Sequence, residues 1–534
     1  MPNPVESDMN VVPVYVEAAY TPTDPRFVNG QQWYINNPLV PTADLSLTVV
    51  WDDYRGAGIN IGVIDDGVEY SHPDLAANSD PSQGRNFASS FPGDPDDGQA
   101  YLSGDNHGTL VAGVIAADDN GIEVVGVAPD ATIAGLRIGF GAGGDDSQIR
   151  AAFTAAKNFD VVNNSWGYGG YFYDNLNDAG SFGSATNPFI AIGEALTEAV
   201  DVGRGGLGTV FVIAAGNDGN NGQDVNYHGF QSSPHTITVG GFNKFGKDYS
   251  ASTPGAAVLV SGPAVSVRTT DREGSLGSNS GDTAAVSGTS FASPAVAGVV
   301  ALMLEANPNL GYRDVQEILT LSSEMVDPAD LSWDFNGSSN WNGGGRHISN
   351  KLGFGSVDGY NAVRLAGTWE LQSTYGNARV VSASANIANG TLIQNTVVAE
   401  MTIGDIGIDL DQVVLSVDMD HSFIGDLVIT LESPDGTIST MMNRPGFGAG
   451  KQSTFIDEFE LSSVQFWDEA VAGTWTLSVQ DAGTIGAGNV TAWGLTFIGD
   501  TDTGDDTYVY TANGLHLAVR RRGGYCPTRQ ARTR

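Results

Sequence analysis

An α/β domain with a mostly parallel sheet, followed by an all-β sandwich, is the fold this chain predicts. Three observations carry the prediction. Up to about Leu365, short apolar runs alternate with helical segments, the pattern of strands joined by crossover helices. Beyond Leu365 the helical periodicity stops, and strands of alternating polarity follow, punctuated by turns such as Pro434-Asp435-Gly436. At 534 residues the chain also exceeds a single small core, so more than one domain is expected. The expected organisation is a first domain over 15–366, a sandwich over 367–499 and a tail over 500–534.

Ile59-Asn60-Ile61-Gly62-Val63-Ile64 reads as a buried strand that ends at Asp65, which puts a carboxylate at a strand's C-terminal end. Further strands are predicted at 133–138, 161–165, 209–214 and 236–239. Helices are predicted at 108–117, 147–158, 188–203 and 291–306. Strands alternating with helices imply a sheet covered on both faces, with any site beyond the strands' carboxyl ends. In the second domain, Val413-Val414-Leu415-Ser416-Val417 and Leu427-Val428-Ile429-Thr430-Leu431 are the clearest strands.

Composition narrows the function classes. With 62 acidic against 24 basic residues the net charge is −38, which argues against nucleic acid or anionic membrane as partners and for solubility and cation binding. No apolar run approaches the length of a membrane span, and Met1-Pro2-Asn3-Pro4-Val5-Glu6 has neither the basic start nor the apolar run of a signal peptide. The single cysteine, Cys526, lies near the C-terminus, so no internal disulfide is possible and any cross-link must be a metal. The tail turns acidic and then basic at Arg520-Arg521-Arg522, followed by Arg529, Arg532 and Arg534. So abrupt a change reads as a disordered end or a reading-frame scar rather than a nucleic-acid patch.

Three segments carry the chemistry: Asp65 in Ile64-Asp65-Asp66-Gly67, His107 in Asn106-His107-Gly108-Thr109, and Ser290 in Gly288-Thr289-Ser290-Phe291-Ala292-Ser293-Pro294. A serine hydroxyl is a weak nucleophile at neutral pH. It needs an imidazole to take its proton and a carboxylate to hold the imidazole's tautomer. The chain order Asp, His, Ser is that of the subtilisin triad. Ser290 precedes an apolar helical run, which puts it at a helix N-terminus with the dipole facing a developing oxyanion. Asn217, after a predicted strand in Ala215-Gly216-Asn217-Asp218, offers a side-chain amide to the same charge. Ser165-Trp166-Gly167 is suited to pairing with an extended substrate, since Gly167 lets another backbone approach.

These motifs resemble the subtilisin-like serine proteases, across roughly 20–365. Within them, Pro22-Thr23-Asp24-Pro25, Gln31-Gln32-Trp33-Tyr34, Asp65-Asp66-Gly67, His72-Pro73-Asp74-Leu75 and Leu304-Glu305-Ala306-Asn307-Pro308 are similar to the kexin/furin-type proprotein convertases. Gly425-Asp426-Leu427, Gly473-Thr474-Trp475 and Trp493-Gly494-Leu495 resemble the convertase P domain. The resemblance implies a serine endopeptidase with Asp65, His107 and Ser290 catalytic, Asn217 at the oxyanion, and Asp66, Ser165, Trp166 and Gly167 binding substrate. It also implies a calcium cofactor held by Asp24, Asp74 and Asn120 with carbonyl oxygens near Asp118, Ile122 and Val124. Asp94-Pro95-Asp96-Asp97 is either a second ion site or a solvated acidic loop. The expected partners are protein or peptide substrates, with no nucleic acid and no membrane. The expected state is a monomer, and the expected location is secreted or extracellular.

The chain departs from the convertases where they select basic residues. Counting from the shared motifs, their pocket aspartates correspond to Gly170 and His228, and a glutamate near a pocket calcium corresponds to Ala251. Asp66 remains, and Asp174 or Asp224 could reach in from loops. A lysine or arginine would enter a pocket without carboxylates poorly, because an unpaired buried charge costs several kcal/mol. Strict cleavage after basic pairs is therefore not expected. The alternatives are a convertase selective for basic residues and an inactive scaffold that binds through its sandwich. Residues 1–14 hold no counterpart of the family's propeptide.

Overall fold

Seven parallel strands build the first sheet: β1 (Asn60–Asp65), β2 (Arg85–Asn86), β3 (Thr132–Arg137), β4 (Val161–Asn164), β5 (Val210–Ala214), β6 (Thr236–Phe242) and β7 (Val260–Pro263). They lie in the order β2-β3-β1-β4-β5-β6-β7. The computed structural model describes residues 20–88, 96–176, 188–338, 345–448, 459–484, 486–502, 507–510 and 517–520. Strands β4, β5 and β6 are buried at every residue, as parallel strands covered on both faces must be. The sequence reading missed β2, which is two residues long, and β7, which is four residues long and contains Gly262 and Pro263.

The helices are α1 (Pro25–Val28), α2 (His107–Ala116), α3 (Asp146–Ala156), α4 (Pro188–Val202), α5 (Gly229–Ser232), α6 (Thr289–Ala306), α7 (Tyr312–Ser322) and α8 (Gly359–Gly367). Helices α2 and α6 pack on each other, and α6 also lies against β4 to β7. By length and composition α6 could cross a bilayer, but 83% of it is buried inside the protein as a core helix. Helices α3 and α4 pair, and Phe153 of α3 stacks on Phe211 of β5 with ring centroids 5.5 Å apart. Because β1 pairs with β3 on one side and β4 on the other, the chain order reverses beside β1. A crevice at the carboxyl ends follows from that reversal.

The second domain is two antiparallel sheets. One runs Arg379–Asn386, Gly488–Thr501, Ile408–His421, Leu461–Ser463; the other runs Thr396–Ile403, Gly473–Asp481, Leu427–Glu432, Ile438–Asn443. Along Leu427–Glu432 the buried positions alternate, with Leu427, Ile429 and Leu431 facing the core that holds Trp475, Trp493 and Phe497. In the tail, the backbone of Thr507–Tyr510 pairs antiparallel with Leu517–Arg520, where an unstructured end was expected. Both segments carry β-prone residues. Cys526 and the arginines beyond Arg520 lie outside the described residues, as do Asp94 and Pro95.

The two domains share packing. Phe172 and Tyr227 of the first domain belong to the sandwich core, while Val464 and Trp467 of the sandwich belong to the first core. Asn226 donates to Met441 O (3.1 Å) and accepts from Ser462 N (3.0 Å). Arg313 of α7, 2% exposed at its side chain, bridges Asp411 and Asp500 of the sandwich. A buried guanidinium needs such partners, and its two carboxylates anchor the docking.

Candidate active site

The side chains singled out from sequence meet at the carboxyl ends of β1, β4 and β5 and the N-termini of α2 and α6. Asp65 ends β1 and is fully buried. His107 opens α2, and its Nδ1 lies 2.9 Å from Asp65 Oδ2 and 3.0 Å from Oδ1. That contact requires α2 to start close to the turn after β1. A Cβ on Gly108 would fall 2.3 Å from Gly67 O, so only glycine permits the approach. Burial opposes charge on His107, but Asp65 and then Asp66 outweigh it and raise the imidazole well above its ordinary range.

Asp66 lies beside this couple. Its Oδ2 accepts from His107 N (3.0 Å) and its Oδ1 from Gly108 N (2.7 Å), so it caps α2 and steadies His107. Burial, and then the charge of Asp65, raise its carboxyl to about 7.

Ser290 stands in the first turn of α6, after Gly288 at φ 144°. Pro294 has no N–H to give to Ser290 O, and Ser165 Oγ donates to that carbonyl instead, at 2.8 Å. Ser165 Oγ accepts from Asn163, whose Oδ1 takes Ser293 Oγ at 2.7 Å, so the end of β4 is stitched to the start of α6. Ser290 Oγ donates to Ser165 O at 3.1 Å in this arrangement. The ring of His107 tilts against Phe291, the next residue, with centroids 5.7 Å apart. Asn217 Oδ1 accepts from Thr289 N at 2.9 Å and from Thr289 Oγ1 at 3.3 Å, bonds that do not engage its Nδ2.

Ser165, Trp166, Gly167, Asn217 and Ser290 line one cleft of about 210 Å³. Its polar residues Gln223, His228 and Gln231 are buried, whereas Asp218 on its wall is exposed. Gly170 and Ala251 are not among the lining residues, so of the three positions compared by counting only His228 faces the cleft. Asp174 is fully buried behind His228, with Oδ1 3.4 Å from His228 Nδ1. Asp224, raised to about 8 by burial, caps Asn226 N and stays out of the lining. Gln223 and Gln231 were missed because a single glutamine in a loop or in a four-residue helix carries no pattern. A larger cavity of about 650 Å³ lies between α4 and the sandwich, but it holds none of these groups.

The expected metal ligands also gather. Asp24 and Asp74 are fully buried, and Asp24 Oδ2 and Asp74 Oδ1 have no hydrogen-bond partner. Their other oxygens accept from Gly121 N and Val124 N, both at 3.1 Å. Asn120 Oδ1 accepts from Ile122 N (2.8 Å), and Asp118 N donates to Asp74 O (2.7 Å). Burial first, then Asp119 beside it, raises Asp24 to about 7; burial does the same for Asp74. Unpartnered buried carboxylate oxygens fit a hard cation. No group of three or more His, Cys, Asp or Glu side chains is poised for a metal among the described residues, so amide and carbonyl oxygens would have to complete the shell.

The family is decided by comparison with known proteins. The Subtilase family model matches residues 56–355, more than half of the chain. The chain belongs to the subtilase family. A second model, the Proprotein convertase P-domain, matches residues 410–497 of this subtilase. It is 30% identical to Protease KEX1 of Kluyveromyces lactis, over 90% of this chain and 61% of that protein. It is 33% identical to human Proprotein convertase subtilisin/kexin type 4, over 86% and 59% respectively. The subtilase thus spans about 60% of the length of these relatives. Its fold superposes on the serine protease of Aeromonas sobria with a TM-score of 0.77 at 22% identity, covering 92% of this chain and 98% of that one.

Proposed function

We propose that this subtilase is a serine endopeptidase that works through an acyl-enzyme, is stabilised by calcium, acts outside the cell and is not restricted to basic pairs. The observation that carries the reading is the Asp65–His107 hydrogen bond beside the N-terminus that bears Ser290. Ser290 Oγ turns from Ser165 O toward His107 Nε2, gives up its proton there and attacks the substrate carbonyl. Asp65 holds the Nδ1–H tautomer and steadies the imidazolium that forms. The oxyanion is met by Asn217 Nδ2 and the backbone N–H of Ser290 at the start of α6. His107 then protonates the leaving amine, and a water deprotonated by the same residue releases the acyl group from Ser290. Apo hydrogen bonds at such sites are often not yet made, so the Ser165 contact is compatible with this path.

Asp24, Asp74 and Asn120 would hold calcium, which supplies a cross-link in a chain with no internal disulfide. The segment at Ser165-Trp166-Gly167 would pair with the substrate backbone. A second reading, cleavage after basic residues, is favoured by the kexin- and convertase-like relatives and the P domain. A fluorophosphonate probe tests the chemistry: covalent labelling of Ser290 in calcium-loaded protein is expected, and folded protein that takes no label would leave only a scaffold.

A further inference from the structure

At the wall of the cleft, His228 forms a second histidine–aspartate couple with its own hydrogen-bond logic. His228 Nδ1 faces Asp174 Oδ1 at 3.4 Å, and His228 Nε2 faces Gln223 Oε1 at 3.1 Å. The amide of Gln223 cannot be turned round without loss, because its Nε2 donates to Gly169 O at 3.1 Å. Both ring nitrogens of His228 therefore face oxygen atoms, and a ring carrying a proton on each would donate to both. Asp174 is fully buried and needs such a cation, since a buried carboxylate without one is strongly disfavoured. Its other oxygen accepts only a long contact from Phe230 N, at 3.4 Å.

We propose that His228 cancels the charge of Asp174, so that the cleft prefers an uncharged, hydrogen-bonding side chain before the scissile bond over lysine or arginine. This rests on reading the cleft beside Ser290 as the pocket for that residue. Asp174 stands behind His228 rather than in the lining, and among the described residues the lining carboxylate, Asp218, is exposed and screened by water. Gln231 adds a neutral buried acceptor, Oε1, with no hydrogen-bond partner, to which a substrate amide could donate. The geometry places a carboxylate one residue behind the wall and pairs it off.

Two peptides that differ only in arginine or its uncharged analogue citrulline before the scissile bond test the idea. The native enzyme is expected to hydrolyse citrulline with kcat/KM equal to or above that for arginine. His228→Asn leaves Asp174 uncompensated and should raise the arginine-to-citrulline ratio tenfold or more, and His228→Gln serves if that variant does not fold. Adding Asp174→Asn should return the ratio to its native value. A native preference for arginine of tenfold or more, cleavage of neither peptide, or an unmoved ratio in the His228 variants overturns the proposal. Fluorophosphonate labelling in parallel separates the failures: native protein that does not label defeats the protease reading as well, whereas labelling with an unmoved ratio defeats only the pocket couple.

Discussion

Two histidine–aspartate couples lie near Ser290, and they are held by different parts of the molecule. Asp65 and His107 rest on β1 and α2, inside the first core, with the carboxylate fully buried and the imidazole side chain 34% exposed. Asp174 and His228 rest on loops that the sandwich grips. Tyr227, next to His228, belongs to the sandwich core; its ring packs on Phe172, which in turn meets Phe459 of the sandwich, each pair with centroids 5.0 Å apart. Its hydroxyl accepts from Asn443 N at 3.1 Å. The same residue pair thus stands in two settings: one imidazole is partly open to solvent, and the other has both ring nitrogens facing oxygen atoms.

The largest expected difference between the couples is in rate. His107→Ala or Ser290→Ala should lower kcat by about 10⁶-fold, the magnitude carried over from subtilisin. His228→Ala should leave most of kcat on a substrate with a neutral residue at the bond, and single-turnover kinetics would compare the two directly. Asn217→Ala should lower kcat by about 10²–10³-fold with KM little changed, also on the precedent of subtilisin. An equal rise in KM would assign Asn217 to ground-state binding.

A smaller effect separates the docking of the two couples. Asn226→Ala removes the hydrogen bonds to Met441 O and from Ser462 N and should raise KM several-fold while the rate of fluorophosphonate labelling stays near native. Equal loss in both would mean the sandwich supports the whole site. The pH profile gives the finest test. The base must be neutral, and the folded-state pKa of His107 is raised, so kcat/KM should still be climbing with pH above neutrality. Asp66→Asn removes one of the charges that raise it, and should move this acid limb down by about one pH unit. Chelation is expected to lower the melting temperature of both couples together, and calcium at about 100 times its Kd should restore about 2.7 kcal/mol.

The juxtaposition of Asp65 and His107 was legible in the chain, whereas that of Asp174 and His228 was not. Asp65, His107 and Ser290 each fall where an apolar run begins or ends, in short motifs with glycine beside them, so the position of each on its element follows from local pattern. Asp174 lies in a loop with no periodicity, and counting from Ser165-Trp166-Gly167 selects Gly170, which does not line the cleft. Asp66 shows the same limit within a motif. Its neighbour identifies the turn, but that its oxygens cap α2 depends on where α2 starts in space.

Parallel-sheet topology, the separate sandwich and the residues able to make a nucleophile follow from the chain alone, because periodicity, turn residues and side-chain chemistry are local. Whether Asp174 stands bare or neutralised, which carbonyl Ser290 Oγ meets, and which domain grips His228 were settled by folding. Each depends on distances of about 3 Å between segments far apart in the chain, where Coulomb energy and desolvation are decided. No local pattern reports those distances.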